Sequence, residues 1–134
     1  MAGIFEKLNL KDQREILVLD APASFEQELE ELKGVRLGRR ADASARVAFA
    51  IAFVTRKSDL DRVSKSLAAK AEGDAVLWFA YPKGTSKALT CDFNRDSGWD
   101  VIRAAGFDTV RQVAIDADWS ALRFRRLEFI SRRG

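Results

Sequence analysis

The chain has 134 residues, 47% hydrophobic and 32% charged, with 23 basic against 20 acidic side chains and a formal charge of +3. That size and balance describe one globular domain over residues 1–134, able to bury a core without metal or disulfide. No apolar run is long enough to span a membrane as a helix, and there is no histidine.

Without histidine the chain lacks the commonest general base and metal ligand, together with every Ser-His or Cys-His nucleophile. Cys91 is the only cysteine, so no intrachain disulfide forms and the usual zinc and haem ligand sets are missing. The segment Met1–Lys7 lacks the basic start and apolar core of a secretory signal. With one cysteine, this points to the cytoplasm. Charge is unevenly placed: residues 1–74 carry 13 basic and 13 acidic groups, and residues 75–134 carry 10 and 7. Five arginines crowd the last sixteen residues, Trp119–Gly134, a strip able to attract phosphates or acidic partners.

In chain order, residues 1–14 suggest an arm or short helix. Glu15–Asp20 is a compact apolar run ending in an acid, the first predicted strand. Pro22 breaks the chain, and Ser24 with Gln27 matches a capping box. Phe25, Leu29 and Leu32 then recur at helical spacing until Gly34. Val35–Arg39 reads as an edge strand. Arg46–Val54 is a second buried strand, with Phe49, Ile51 and Phe53 on one face and Ala48, Ala50 and Ala52 on the other, so a helix should pack closely on the alanine side. Ser58 is the expected start of a helix carrying Leu60, Val63, Leu67 and Ala71, closed by Gly73.

Ala75–Tyr81 is continuously apolar, as in a strand covered on both faces, so residues 46–81 form a β-α-β unit with parallel strands. Asp96 or Ser97 should cap a short helix using Trp99, Ile102 and Ala105. Val110–Ile115 and Ala121–Ile130 are the last strands, joined by a turn short enough for an antiparallel hairpin. Within the last, Leu122 and Phe124 lie on opposite parity to Leu127 and Phe129. A bulge near Arg125-Arg126 would reset that phase.

Three segments carry candidate chemistry. The loop Tyr81–Lys87 holds Lys83, Gly84, Thr85, Ser86 and Lys87, the parts of an anion site, although the Walker order is absent. Asn94–Trp99 offers Arg95 for a carboxylate or phosphate, or simply a helix cap. In Asp116–Arg125, Asp116 and Asp118 form an acid/base pair or else pair with Arg123 or Arg125 to fix the turn, while Trp119 folds onto the core or recognises a partner. Cys91 stands beside Asp92, which disfavours its thiolate. A mostly parallel sheet would bring Lys57, Lys83, Lys87, Arg95, Asp116, Asp118 and Trp119 to one rim beyond the strand ends.

The strings Leu77–Lys87, Asn94-Arg-Asp, Gly98-Trp99 and Val113–Arg125 resemble a family of small bacterial proteins of unknown function. The resemblance covers nearly the whole chain and implies a bacterial cytosolic origin, with no activity or catalytic residue attached.

The expected architecture is a single α/β domain: a mixed sheet of about five strands with three helices, containing a β-α-β unit and a C-terminal antiparallel hairpin. The leading function is a non-catalytic binding module whose basic rim and arginine-rich last strand, with Arg123 and Arg125 among the ligand-binding residues, take a small anionic ligand or an acidic protein partner. The alternative is a small enzyme with Asp116 or Asp118 as acid/base group and Lys83, Lys87 and Arg95 holding a substrate anion. No cofactor or metal is implied, and monomer or homodimer is left open. Nucleic acid is disfavoured, because aromatics are not interleaved along the basic strip.

Overall fold

A computed structural model describes residues 4–11, 13–40, 46–87, 89–94 and 97–130. It contains strands β1 (Glu15–Leu19), β2 (Arg36–Gly38), β3 (Val47–Phe53), β4 (Ala71–Pro82), β5 (Phe107–Ala114) and β6 (Trp119–Arg126). The helices are α1 (Ile4–Lys7), α2 (Ala23–Glu30), α3 (Lys57–Lys70) and α4 (Asp100–Ala104). The strands form one sheet in the order β2-β1-β3-β4-β6-β5. β1, β2, β3 and β4 pair in parallel, while β6 runs antiparallel to both β4 and β5. β5 therefore points the same way as β4, and β6 alone is reversed. The α/β class, the β-α-β unit and the terminal hairpin stand as expected, with six strands in place of five and a fourth short helix.

Strand alternation divides the core into two layers. Ile16, Val18, Phe49, Ile51 and Phe53 pack with Phe5 and Leu8 near α1 and with Phe25 and Leu29 of α2. Leu17, Leu19, Ala50 and Ala52 pack on the other face against Leu60, Val63 and Leu67 of α3. The alanines let α3 approach the sheet closely, as the β3 pattern required. Because β1 feeds α2 on one face and β3 feeds α3 on the opposite face, the direction of winding reverses between β1 and β3. Every parallel strand ends at the same rim. Among the described residues, no helix is long and apolar enough to cross a membrane.

Several local expectations are corrected. α2 starts at Ala23 behind Pro22 with no side-chain cap, so Ser24 lies inside the first turn and the capping box does not form. α3 starts at Lys57, one residue before Ser58, and Asp92, distant in sequence, accepts its first N–H at 2.6 Å. α4 begins at Asp100 after Trp99, while the Ser97 hydroxyl bonds Asn94 at 3.2 Å; Asp96 lies outside the described residues. The parity change after Phe124 is not a bulge at Arg125-Arg126. β6 ends at Arg126 and Leu127–Phe129 turns as a 3₁₀ helix, whereas the irregularity of the hairpin falls in β5 between Thr109 and Arg111.

Candidate functional site

Described residues of the connection from β4 to α4 border an open cavity of about 840 Å³ beyond the rim. Its floor is Tyr81 and Pro82 at the end of β4, and its walls are residues 83–86 and 89–94, Ser97, Gln112 of β5 and Ser120 of β6. That volume lies in the range of small-molecule sites. One wall is aromatic: the rings of Tyr81 and Phe93 are 5.9 Å apart, and Trp99 meets Phe93 edge-on at 5.4 Å and Tyr81 at 5.7 Å. Trp99 is held by its indole N–H, which donates to the Asn94 carbonyl at 2.8 Å. Gly98, at φ +99°, permits this packing, since a Cβ there would stand 2.8 Å from Phe93 Cβ.

The polar side of the cavity is built across the sheet. Pro82 pairs with Trp119 at the end of the β4–β6 ladder, and the Lys83 N–H continues it by donating to the Asp118 carbonyl at 2.8 Å. The turn Lys83–Ser86 closes through the Ser86 N–H on the Lys83 carbonyl at 3.0 Å. Ser86 Oγ then donates to Asp118 Oδ1 at 2.8 Å and accepts from the Leu89 N–H at 3.2 Å. Ser86 lines the cavity, and the half-buried Asp118 stands behind it. Across the sheet, Gln112 Nε2 donates to the Tyr81 hydroxyl at 3.3 Å. The result is a hydroxyl–carboxylate pair facing a largely neutral, aromatic-walled space.

Of the residues expected at the rim, Lys83, Gly84, Thr85 and Ser86 line the cavity and Asp118 reaches it through Ser86. Lys87 is exposed and outside the lining. Lys57 turns to Asp61 at 2.8 Å and Asp100 at 3.1 Å, which raises its ammonium pKa and ties α3 to α4. Asp116 is a turn residue, accepting the N–H groups of Asp118 and Trp119 at 2.8 and 2.9 Å. Trp119 is 7% exposed and packs edge-on against Phe53 at 5.1 Å, so it belongs to the core and not to a recognition surface.

Arg125 forks onto Asp74 at 2.8 and 2.6 Å, near the start of β4, far along the strand from the rim. Arg123 sits mid-strand opposite Trp78 and Arg111, where burial first, and then Arg125, lower its guanidinium pKa. Neither arginine pairs with the turn aspartates, because the antiparallel β6 carries them away from it. Arg95 lies outside the described residues. Tyr81 to Gln112, Phe93 and Asp92 went unassigned in the sequence. Gln112 has no local signal there, being an ordinary polar position in an alternating strand. Burial raises the Cys91 thiol pKa and the adjacent Asp92 raises it further, which disfavours the thiolate.

A parallel sheet with the single reversed strand β6 inserted before the edge, and helices on both faces, is the Rossmann-like methyltransferase fold. Solved structures bear this out. A SAM-dependent methyltransferase from Aquifex aeolicus is 13% identical with a TM-score of 0.61, over 91% of this chain and 87% of that one. Magnesium protoporphyrin IX methyltransferase from Synechocystis PCC 6803 with bound SAH is 11% identical with a TM-score of 0.57, over 92% and 78%. Ribosomal protein L11 methylase from Lactobacillus delbrueckii subsp. bulgaricus is 11% identical with a TM-score of 0.56, over 90% and 74%. At these identities the likeness is one of fold. No family model matches the chain, and no curated protein matches it.

These findings overturn the expectation of a non-catalytic module with a basic rim. The three proteins of like fold are enzymes, and among the described residues the expected ligand-binding cations do not assemble: Lys57 is spent on two aspartates, Lys87 faces solvent, and Arg123 and Arg125 of the last strand lie away from the rim. The expected anionic ligand or acidic partner falls with it. The cavity lining offers one lysine, Lys83, against one aspartate, Asp92, among the described residues.

Proposed function

We propose that the protein is a small enzyme working in the cavity above β4, β5 and β6, with Asp118 acting through Ser86 as the base that deprotonates a substrate O–H or N–H. The observation that carries this is the 2.8 Å hydrogen bond from Ser86 Oγ to Asp118 Oδ1 at the wall of an 840 Å³ cavity. In a chain with no histidine, a carboxylate can serve as the base, and a serine between it and the substrate passes one proton on as it accepts another. The substrate gives its proton to Ser86 Oγ, Ser86 gives its own to Asp118, and the substrate is left as its conjugate base, with the freed electron pair on the oxygen or nitrogen.

Methyl transfer, the chemistry of the named proteins of like fold, asks for such a freed acceptor. Tyr81 and Phe93 supply an apolar wall for the body of the substrate, and Lys83 a cation beside the developing charge. The turn after β1, Asp20-Ala21-Pro22, has no glycine to bring the backbone close to S-adenosylmethionine, the donor named for the Aquifex protein, and the proton transfer does not run through that donor. With a single cysteine and bacterial resemblance, the cytoplasm is the proposed compartment.

The test is depletion profiling. Purified protein is incubated with a bacterial small-molecule extract, and compounds consumed over time are followed by mass spectrometry. A compound consumed by the native chain should be consumed about 100-fold more slowly or worse by Asp118→Asn, more slowly by Ser86→Ala, and at the native rate by Lys87→Ala. No consumption by the native chain, or full consumption by a folded Asp118→Asn variant, overturns the assignment.

A further inference from the structure

We infer that the inner end of the cavity is an amide-binding subsite, where Ser120 Oγ donates to a substrate carbonyl and Gln112 Oε1 accepts the neighbouring N–H. The inference rests on the cavity being the substrate site, as proposed above, and adds the chemical class of the substrate.

Ser120 is the residue that points to a ligand. Among the described residues, Ser64 and Ser120 are the buried polar side chains. The Ser64 hydroxyl, on α3, is sealed away without a partner, whereas Ser120, 7% exposed, lines the cavity. No described group hydrogen-bonds the Ser120 hydroxyl, unlike those of Ser86 and Ser97, which bond Asp118 and Asn94. A buried hydroxyl without a protein partner costs free energy until water or a ligand completes it. Here that partner enters from the cavity.

Strand register places the second group beside it. Leu122, Phe124 and Tyr81 belong to the core layer on the α3 side, and alternation along β6 puts Ser120 on that same face. Ser120 lies directly between Tyr81 of β4 and Ala114 of β5. One step further from the rim, Leu122 lies opposite Gln112, which therefore shares the face. From there Gln112 Nε2 crosses β6 to the Tyr81 hydroxyl at 3.3 Å and closes the inner end of the cavity. Ala114 carries only a methyl group, so the space over Ser120 stays open on the β5 side.

The chemistry of the pair selects the ligand. Gln112 spends an N–H on Tyr81, which leaves Oε1 as an acceptor, and the Ser120 hydroxyl rotates freely to donate. A group that satisfies both carries a carbonyl next to an N–H, as in a carboxamide or a lactam. A carboxylate brings no hydrogen to Gln112 Oε1, and a ketone serves Ser120 alone. The adjoining rings of Tyr81 and Phe93 suit a planar, aromatic body on that amide. Asp118, two positions before Ser120, keeps Ser86 nearer the rim, so a substrate held by its amide extends towards the proton-accepting pair.

The experiment is a ¹H–¹⁵N NMR titration of the native chain with benzamide and, separately, with benzoate and acetophenone, which lack the N–H. Benzamide should give saturable shifts at Tyr81, Gln112 and Ser120, with benzoate and acetophenone about fivefold weaker or worse. Ser120→Ala should weaken benzamide about fivefold, and so should Gln112→Ala, whose exposed position spares the fold. Lys87→Ala should bind it as the native chain does. No saturable shifts at these residues up to the solubility limit of benzamide overturn the inference. So does benzoate binding as tightly as benzamide, or native affinity in folded Ser120→Ala or Gln112→Ala. Because binding is read without turnover, full consumption of a substrate by Asp118→Asn would remove the assigned base and leave this subsite standing.

Discussion

The Lys57 N–H donates to the Asp92 carboxylate at 2.6 Å, joining the first turn of α3 to the loop that walls the cavity. The same loop is anchored a second time, by the Asp92 N–H on the Thr55 carbonyl at 3.3 Å. A helix start leaves its first N–H groups without intrahelical partners, and a carboxylate there also suits the positive end of the helix dipole. Asp92 thus caps α3 from outside and, in doing so, fixes the cavity wall. Asp92→Ala should lower stability by about 1 kcal/mol, with a smaller loss for Asp92→Asn. Urea denaturation checks both, and equal losses for the two variants would show that the carboxylate charge contributes nothing.

Gly98 is the position where substitution should do most damage to the aromatic wall. Its φ of +99° disfavours any side chain, and an added Cβ would meet Phe93 Cβ at 2.8 Å. Gly98→Ala should cost about 1–3 kcal/mol, displace Phe93 and redshift the emission of Trp99, which packs on it. An unchanged melting temperature would mean that Phe93 gives way to the added Cβ without cost.

Trp78 ties the N-terminal arm to the centre of the sheet. Its indole N–H donates to the Leu8 carbonyl at 2.8 Å, and both residues are fully buried. Trp78→Phe leaves that carbonyl without its partner, at a cost of about 1–3 kcal/mol. The arm around residues 4–10 should then be cleaved faster by protease under native conditions while β4 remains protected, which limited proteolysis with mass mapping reads directly.

Acid should weaken the far end of β4. Asp74 accepts two hydrogen bonds from Arg125, which lower its pKa below the ordinary value. A carboxylate whose pKa is lower folded than unfolded adds stability above the unfolded pKa, and that stability is lost as pH falls through the folded value. The difference in urea midpoint between the native chain and Asp74→Asn should be constant above about pH 5 and shrink below about pH 4. Because the pair is partly exposed, added salt should reduce the difference too.

Much of the fold was legible in the residues. The Phe49, Ile51, Phe53 alternation against alanines named both faces of β3 and the side on which α3 packs, and the unbroken run from Ala75 to Tyr81 marked a strand covered on both sides. Trp119 misled because a tryptophan in a polar turn looks exposed, whereas the ladder turns it onto Phe53. Ser24, Ser58 and Ser97 misled as caps, because local capping patterns give way when proline or a distant carboxylate sets where a helix begins.

Side-chain periodicity and local turn chemistry depend on neighbours a few positions apart, so the sequence by itself determined the elements, their buried faces and the parallel β3–α3–β4 unit. The insertion of reversed β6 between β4 and β5 decided the rest. It brought Asp118 to Ser86 across 32 positions, drew Gln112 to Tyr81 across 31, and carried Arg125 away to Asp74. Pairings over such separations are set by strand order, which no local pattern encodes, so only the tertiary structure could turn a presumed cationic rim into an aromatic-walled cavity with one hydroxyl–carboxylate pair.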